Sequence, residues 1–329
     1  MIFGTVATDM AEGAILAHSV ALPGGRLRKG AMLDAAQIEA LHQAGVSQVT
    51  VARLEADDLH EDVAATQLAA ALATGAEAVS LSAAFTGRVN LIADEPGVVQ
   101  LDAARITAAN AVHPMITIAT VPDLQQMAAG QMIATVKIIS YGVPAAAVAS
   151  ACAAMLGGVR MAVPVLHDAA LIITDTQGGP GEKGRAAMAG RLDALGVTLA
   201  QTTVIPHDED ALTAALQKTQ AGLIMILTAS ATSDPNDTGP AALRRAGGRV
   251  ERFGMPVDPG NLLFVGQLDG TPVIGLPGCA RSPALNGADW VLSRTVCGIA
   301  VTDADIAGMG VGGLLKEIPT RPMPRRGRR

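Results

Sequence analysis

The sequence predicts an α/β fold in which a three-layer α/β/α domain with a mostly parallel sheet follows a β-rich α+β module. Apolar residues make up 50% of the 329 residues and charged residues only 16%, so the chain can bury more than one ordinary core. After about residue 161, strand and helix patterns alternate with short links, which is typical of parallel sheets. Before residue 161, strand patterns separated by Gly and Pro outnumber helices.

The N-terminal module, residues 1–160, is predicted to place helices among several strands. Asp34 is a natural N-cap for a helix over 35–44, and Gly45 follows that helix. Apolar residues alternate over 47–54 as in a half-buried strand. Further elements are a helix over 61–74, closed by Gly75, and strands over 87–94, 115–120 and 132–140. We find no catalytic constellation in this module.

Residues 138–159 contain no charge over 22 positions and therefore require a membrane check. Gly142 and Pro144 interrupt the segment, and its remaining helical part is shorter than the ~20 residues needed to span a bilayer. We interpret it as a fully buried helix and expect no membrane span. The N-terminus lacks the basic and apolar regions of a signal peptide. Cys152, Cys279 and Cys297 form no CxxC pair, which favours a reducing, cytoplasmic location.

The second domain, residues 161–300, is predicted to alternate strands with helices. The strands cover 169–175, 197–205, 222–228, 249–253, 261–268 and 271–276, and the helices cover 182–195, 209–220, 239–246 and 283–296. Asp208 is the expected N-cap of the second of these helices, and Asp269-Gly270 marks a hairpin between the last two strands. Residues 301–318 are interpreted as an extension of this domain, and 319–329 as a disordered Arg-rich tail.

Charge and composition exclude several functional classes. The net charge is −6, and without the five arginines of the tail the chain carries −11, so we expect no nucleic-acid partner. Aromatic residues make up 2% of the chain, which leaves few platforms for stacking bases. The absence of GxSxG and HExxH motifs argues against serine hydrolases and metalloproteases.

Two long loops follow predicted strands at their carboxyl ends, where ligands bind in parallel sheets. The first is "TDTQGGPGEKGR", residues 174–185. Its glycines, including Gly178 and Gly179, permit close backbone approach, and Lys183 adds positive charge, so the loop suits an anion. It is neither a Walker loop nor a dinucleotide fingerprint. The second loop is "TASATSDPNDTGP", residues 228–240. We expect both loops to open on one pocket.

Capping explains only part of the second loop. Asp237 or Thr238 can cap the following helix, with Pro240 in its first turn. The remaining short polar residues suit hydrogen bonds to a polar heterocycle, or water-mediated binding of Mg²⁺; they are Thr228, Ser230, Thr232, Ser233 and Asp234. Cys279 directly follows Pro277-Gly278 at a strand end, where it is either an accessible thiol or a small apolar filler.

Five landmarks in order carry a family resemblance. They are "TDT" with its Gly-rich loop, Asp208 after a strand, "DPNDTGPAAL", "VDPGNLLF", and "VIGLPG" before a helix. Through them, residues 168–300 resemble the molybdopterin-binding domain of enzymes that adenylylate molybdopterin and insert molybdate into it. Segments such as "AEGAILAHSV", "LHEDVAATQLA" and "DIAGMGVGGLL" extend the likeness to bacterial molybdopterin-binding proteins of the molybdenumtransferase-like group, over nearly the whole chain apart from the tail.

The resemblance implies a ligand, partners and site residues. The ligand would be molybdopterin or the molybdenum cofactor, and the partner a nucleotidyltransferase or a molybdoenzyme client. We expect a homo-oligomer. The implied cofactor-binding residues are Thr174, Asp175, Thr176, Gly178, Gly179, Lys183, Thr228, Ser230, Thr232, Pro259, Gly260, Pro277, Gly278 and Cys279. Asp234 and Asp237 are the candidate catalytic residues and the candidate Mg²⁺ ligands.

The chain departs from the molybdenumtransferase pattern at three places. Ala229-Ser230 stands where those enzymes have a Gly-Gly pair, "LPGCARSP" where they have an Asn-Pro after the LPG, and Asp258 where they have a basic residue before the Pro-Gly. Losing a cation weakens molybdate chemistry more than it weakens pterin binding. Three functions therefore remain open: a transferase acting in molybdate insertion, a non-catalytic carrier of the cofactor, and an oligomeric scaffold with a degenerate pocket.

Overall fold

The computed structural model describes residues 1–176 and 181–317, which form two compact units. The first unit comprises residues 1–95, 99–123 and 129–161. The second comprises residues 96–98, 124–128 and the described residues from 162 onward. The tail that the sequence predicts to be disordered, 319–329, lies outside the described residues.

Up to residue 162 the chain forms short strands, one 3-10 helix (Thr8–Met10) and four α-helices. The strands are β1 (Ile2–Ala7), β2 (Ile15–Leu16), β3 (Val20–Leu22), β4 (Gly25–Leu27), β5 (Gln48–Arg53), β6 (Asp58–His60), β7 (Val79–Leu81), β8 (Arg88–Ala93), β9 (Gly97–Leu101), β10 (Ile116–Thr120), β11 (Gln126–Met127), β12 (Met132–Ile138), β13 (Gly142–Pro144) and β14 (Val159–Ala162). The helices are α1 (Ala35–Gln43), α2 (Glu61–Leu72), α3 (Ala103–Val112) and α4 (Ala145–Met155).

Antiparallel pairing holds the first unit together. One sheet has the order β1-β5-β2 and another the order β10-β12-β8-β7. Helix α2 packs on β8 and β12, and its buried residues include Ala65, Leu68 and Leu72. Asp34 caps α1 in a capping box with Gln37, which confirms the predicted N-cap. This arrangement confirms the β-rich character predicted for the N-terminal part.

The uncharged segment 138–159 differs from its prediction. Helix α4 is not fully buried: Val148, Ala151 and Met155 are buried, whereas residues 146, 149, 150 and 153 are not. Helices α2 and α3 and strand β13 pack against α4, and the exposed positions carry only alanine and serine side chains, which expose little apolar surface. Among the described residues, no helix is long and apolar enough to cross a membrane.

The second unit contains a six-stranded sheet with helices. Its strands are β15 (Asp168–Asp175), β16 (Thr198–Pro206), β17 (Leu223–Leu227), β18 (Arg249–Phe253), β19 (Phe264–Leu268) and β20 (Thr271–Leu276). Its helices are α5 (Glu182–Asp193), α6 (Glu209–Lys218), α7 (Thr238–Arg245), α8 (Gly287–Val296) and α9 (Asp303–Gly308). The strand order is β16-β15-β17-β20-β19-β18, and β16, β15, β17 and β20 run parallel. Strand β19 is antiparallel to both of its neighbours.

Alternating residues of the central strands bury both faces of this sheet. On β15, Leu171 and Ile173 belong to the same buried cluster as Met188 of α5 and Val291 of α8. Ile172 points to the opposite face, where the cluster includes residues of α6 and α7 such as Leu212 and Leu243. Helices therefore cover both faces, and the predicted three-layer α/β/α fold is confirmed.

Near the C-terminal end of this unit, one strand and one helix begin later than the sequence predicts. Asp269 and Gly270 have φ of 49° and 83° in the β19–β20 hairpin, as a tight two-residue turn requires, but β19 begins at Phe264 and not at 261. The sequence predicts the last helix from Pro283, whereas α8 begins at Gly287. Asn286 is its N-cap and forms a capping box with Asp289, so the preceding residues cannot continue the helix.

Candidate functional site

A cavity of about 330 Å³ lies at the carboxyl ends of β15 and β17. Its lining residues are Ile173, Thr174, Asp175, Thr176, Gly181, Glu182, Lys183, Gly184, Ala229 and Arg281. The backbone N–H of Ala229 donates a hydrogen bond of 2.8 Å to Oγ1 of Thr174. The beginnings of the two long loops therefore meet at this edge of the sheet.

Thr174 is the buried polar residue at the centre of this contact. Its Oγ1 also lies 2.8 Å from Nδ1 of His207, and Thr174 is 1% exposed. Because Oγ1 accepts the Ala229 amide, the hydroxyl proton is free to donate to His207 when Nδ1 carries no proton. The sequence offered no signal for His207, since its role depends on β16 ending beside β15.

Glycines make room at the start of α5. A Cβ on buried Gly184 would lie 2.5 Å from Cδ2 of Leu227 and 3.5 Å from Cγ of Arg281. A Cβ on Gly181 would lie 3.1 Å from Cγ2 of Ile173. Gly181 is the N-cap of α5 and provides no side-chain acceptor for the first amides of that helix. Gly178 and Gly179, the predicted glycines of this loop, lie outside the described residues.

Four charged residues line the cavity, and its two acids are engaged with neighbours. Both carboxylate oxygens of Glu182 accept hydrogen bonds from Arg185, which lower the pKa of this exposed carboxyl. Oδ1 of Asp175 accepts the backbone N–H of Thr176 at 2.8 Å. Over residues 1–176 and 181–317, neither Lys183 nor Arg281 takes part in a salt bridge. Lys183 and Arg281 therefore line the cavity beside two carboxylates that already accept hydrogen bonds from neighbouring groups.

Arg281 reaches the cavity from the 3-10 helix Gly278–Arg281. One Nη of its guanidinium donates a hydrogen bond of 2.8 Å to the carbonyl of Thr228, at the end of β17. The other Nη lies 3.6 Å from where a Cβ on Gly181 would be. The guanidinium therefore lies between the two loops. Arg281 was not among the predicted site residues, although "LPGCARSP" drew attention to its neighbour Cys279.

Arg191 of α5 fixes the segment that carries Arg281. Its side chain is 9% exposed, forms an ion pair with Asp289 of α8, and donates hydrogen bonds to four carbonyl groups. Three of them belong to the segment 280–284, namely Ala280 at 2.9 Å, Ser282 at 2.8 Å and Ala284 at 3.2 Å. A single guanidinium thus ties α5, α8 and this segment together.

Most polar residues of the 228–240 loop bond within the loop. Thr228 and Thr232 are buried, and their hydroxyl oxygens lie 3.3 Å apart. Oγ1 of Thr228 also donates to the carbonyl of Ser230 at 2.7 Å, and the Ser230 side chain is exposed. Ala229 is the residue of this loop that lines the cavity.

Asp234 and Asp237 hold the backbone of the same loop. Oδ1 of Asp237 accepts the N–H of Thr238 at 2.7 Å as the N-cap of α7, and Oδ2 accepts the N–H of Ser233 at 3.0 Å. Oδ1 of Asp234 accepts the N–H of Asn236 at 2.8 Å. Neither aspartate lines the cavity. In the described part of the chain, no three His, Cys, Asp or Glu side chains are grouped as a metal site.

Pro259 and Gly260 contact the first residue of α8 and do not line the cavity. The carbonyl of Pro259 accepts the N–H of Gly287 at 2.8 Å, and a Cβ on Gly260 would lie 2.7 Å from that nitrogen. Asp258, which stands where the family has a basic residue, forms an ion pair of 2.7 Å with Lys316. These residues therefore position α8 and the C-terminal segment.

The Pro277-Gly278-Cys279 turn precedes Arg281 directly. Pro277 is buried, whereas Gly278 and Cys279 are exposed. No disulfide involves Cys279, Cys152 or Cys297. The turn lies next to the cavity along the chain without lining it.

Residues 170–294 match the family model described as "Probable molybdopterin binding domain". This range runs from β15 to α8 and contains every residue that lines the cavity. The match confirms the family resemblance predicted for this part of the chain. Residues 5–53 match a second model, described as "Domain of unknown function (DUF8806)".

The chain is also similar to solved structures at low identity. The molybdopterin biosynthesis MoeA protein from Pyrococcus horikosii is 13% identical, with a TM-score of 0.32 over 91% of this chain and 75% of that one. The molybdopterin biosynthesis enzyme MoaB from Thermus thermophilus is 18% identical, with a TM-score of 0.29 over 40% and 89%. A molybdenum cofactor biosynthesis protein from Pyrococcus furiosus is 11% identical, with a TM-score of 0.24 over 93% and 65%. No curated protein sequence matches the chain.

Proposed function

We propose that this chain binds molybdopterin or the molybdenum cofactor in the cavity at the ends of β15 and β17, as a step of cofactor biosynthesis. The observation that carries the proposal is a cavity with two cations, Lys183 and Arg281, beside a wall of small residues. Such a site suits a flat polar ring with an anionic arm. Its volume of about 330 Å³ falls in the range of small-molecule sites, ~300–1,000 Å³. The match of residues 170–294 supports a pterin-type ligand.

Each lining group has a separate part in this proposal. Lys183 and the uncapped amides at the start of α5 hold the phosphate of the ligand. Thr176 offers its hydroxyl to polar atoms of the ring, and Thr174 holds Ala229 at the wall against which the ring lies. Pro277 and Gly278 shape the adjoining wall, and the exposed thiol of Cys279 contacts the sulfur atoms of the ligand. Thr228, Ser230 and Thr232 hold the loop that places Ala229.

Of the activities that the family suggests, carriage of the cofactor fits the residues best. Ala229 lines the cavity where the resemblance implies glycine, and the charge of Asp258 is neutralised by Lys316. Neither feature provides the cationic oxyanion site that molybdate insertion requires. A carrier hands its ligand to a nucleotidyltransferase or to a molybdoenzyme client, and this transfer needs no metal.

Molybdate insertion is the second candidate function. Asp234 and Asp237 would then bind Mg²⁺ or the amino group of the pterin, which requires them to release backbone amides they now bind. Supplying the purified chain with adenylylated molybdopterin and molybdate tests this candidate. Binding without incorporation of molybdenum supports the carrier, whereas incorporation that Asp237→Asn abolishes supports the transferase.

Retention of pterin during anaerobic purification tests the function itself. Oxidation of the purified protein converts bound molybdopterin into a fluorescent pterin that can be quantified. We expect near-stoichiometric fluorescence from wild type and a loss of about tenfold in Lys183→Gln, since a charge-assisted contact to phosphate disappears. Lys218→Gln, at the end of α6 and outside the cavity lining, is the matched control and should retain the ligand. Wild-type protein without pterin would favour the scaffold.

The oligomeric state belongs to the proposal as well. We propose a cytoplasmic homo-oligomer in which the exposed, uncharged side of α4 contributes to a subunit interface. Light scattering measures the mass directly. Ala149→Glu places a charge on that side and should shift the equilibrium from oligomer to monomer. An unchanged mass would show that α4 is not part of the interface.

A further inference from the structure

Arg281 lines the cavity as a cation to which the family resemblance assigns no role. We propose that Arg281 selects ligands that carry a phosphate arm and replaces the cation that the chain lacks at Asp258. This inference rests on the proposed function, because it concerns the same cavity. It adds a specificity-determining residue and the chemical class that this residue recognises, a phosphate monoester.

The position of the guanidinium supports this role. One Nη is bonded to the carbonyl of Thr228 at 2.8 Å, and the other lies beside Gly181 at the start of α5. A guanidinium has five N–H donors, and within the described ranges Arg281 donates one hydrogen bond. The other donors can therefore form the paired contacts that arginine makes with phosphate oxygens.

The segment that carries Arg281 is held before any ligand arrives. Arg191 binds the carbonyls of Ala280 and Ser282, on either side of Arg281. The stem of Arg281 lies along Gly184, where a Cβ would be 3.5 Å from its Cγ, in van der Waals contact. Ordering this long side chain in advance lowers the entropy cost of binding. Arg191 is in this sense a positioning residue.

The chain lacks a cation that the family resemblance implies, and Arg281 provides one from another position. Asp258 introduces a negative charge where the family has a positive one, and Lys316 neutralises it by a 2.7 Å ion pair. That ion pair leaves Lys316 engaged outside the cavity lining. Arg281, entering from a different loop, provides with Lys183 the charge that a doubly ionised phosphate requires.

Inorganic phosphate is the probe that tests Arg281 without the pterin. The full chain, freed of ligand, is melted in increasing phosphate at constant ionic strength, with Trp290 fluorescence as the signal. A ligand that binds only the folded state raises the melting temperature. We expect this rise in wild type and in Arg249→Gln, a reduced rise in Arg281→Lys, and none in Arg281→Gln. Arg249 is the matched control because it is an exposed arginine of β18 that pairs with Glu251, and neither residue lines the cavity.

Pterin retention by the same variants separates the two proposals. Arg281→Gln should retain about tenfold less phosphorylated pterin than wild type, while both bind its dephosphorylated form equally. Equal phosphate stabilisation of Arg281→Gln and wild type would overturn the inference, as would equal retention of phosphorylated pterin. Phosphate stabilisation that depends on Arg281, in a wild-type protein that retains no pterin, would support the anion site and contradict the proposed function.

Discussion

One hydroxyl joins the two loops of the cavity. Thr174 accepts the amide of Ala229 and faces His207, so its oxygen sets the distance between β15 and the loop after β17. Arg281 crosses the same gap through the carbonyl of Thr228. At the residue scale, the cavity is therefore built from a few polar contacts between neighbouring parallel strands.

Thiol reactivity distinguishes Cys279 from Cys297. Cys279 is exposed, whereas Cys297 is buried and burial raises its pKa to about 11. A thiol reacts as its thiolate, so iodoacetamide at about pH 8 should label Cys279 first and Cys297 only after unfolding. Peptide mass spectrometry over a time course measures both rates. Comparable rates at the two cysteines would show that Cys297 is accessible, and slow labelling of Cys279 would argue against its contact with the ligand.

Glu61 should make the stability of the chain depend on pH. Its side chain is 12% exposed, and burial, partly offset by the Lys137 ammonium, raises the pKa of its carboxyl. The folded state binds this proton more tightly, so the stabilisation is present below about pH 4.5 and is lost as the pH rises through the raised pKa. Glu61→Gln should therefore gain stability relative to wild type as the pH rises from about 4.5 to about 8. Urea unfolding at several pH values measures the difference, and a difference that does not change with pH would contradict the assignment.

Helix α5 connects the cavity to the core at the scale of elements. Its first turn lines the cavity, Met188 and Leu192 enter the core, and Arg191 binds the segment before α8. The glycines of its first turn allow it to lie close to β17 and Arg281. Movement of this helix would change the cavity and the core together.

Two alanine substitutions in α5 should differ in their effect on stability. Gly190 is exposed and a Cβ there meets nothing within 4 Å, so Gly190→Ala should stabilise the protein by about 0.5–1 kcal/mol. The same change at Gly184 places a Cβ 2.5 Å from Leu227 and should leave the variant at least about 1 kcal/mol less stable than Gly190→Ala. Chemical denaturation measures both. Equal gains at the two positions would show that the first turn is not tightly packed.

The Arg191–Asp289 ion pair should be costly to break. Its side chains are 9% and 14% exposed, and removing one partner leaves the other charge buried without a counter-ion. We expect Arg191→Met to lower the free energy of unfolding by about 3–5 kcal/mol. Trp290, next to Asp289, should report the change by fluorescence. Arg245→Met removes an exposed pair with Asp210 and serves as the control, with little expected change. A loss in Arg191→Met no larger than in the control would contradict the role given to Arg191.

For the whole molecule, the sequence predicted local elements better than contacts between them. The alternation of strands and helices predicted the three layers, because burial on both faces produces the apolar runs of β15 and β17. Asp34, Asp208 and Asp237 indicated helix starts through ordinary capping chemistry. His207 and Arg281 escaped prediction because their roles depend on which strands become neighbours.

Two interpretations failed for related reasons. The uncharged composition of 138–159 suggested full burial, but composition alone does not state how many sides of a helix have neighbours. Pro283 suggested the start of the last helix, but Asn286 offers a stronger cap further along the chain. In both places the sequence was compatible with two local structures, and packing against the rest of the chain determined which one formed.

A crystal structure of the anaerobically purified chain would test the central claim most directly. That claim is that the cavity at the ends of β15 and β17 is the pterin site. We expect density for a pterin that contacts Thr176 and Ala229, with its phosphate between Lys183 and Arg281. Pterin density elsewhere on the chain, with this cavity filled by water or by its own side chains, would contradict it.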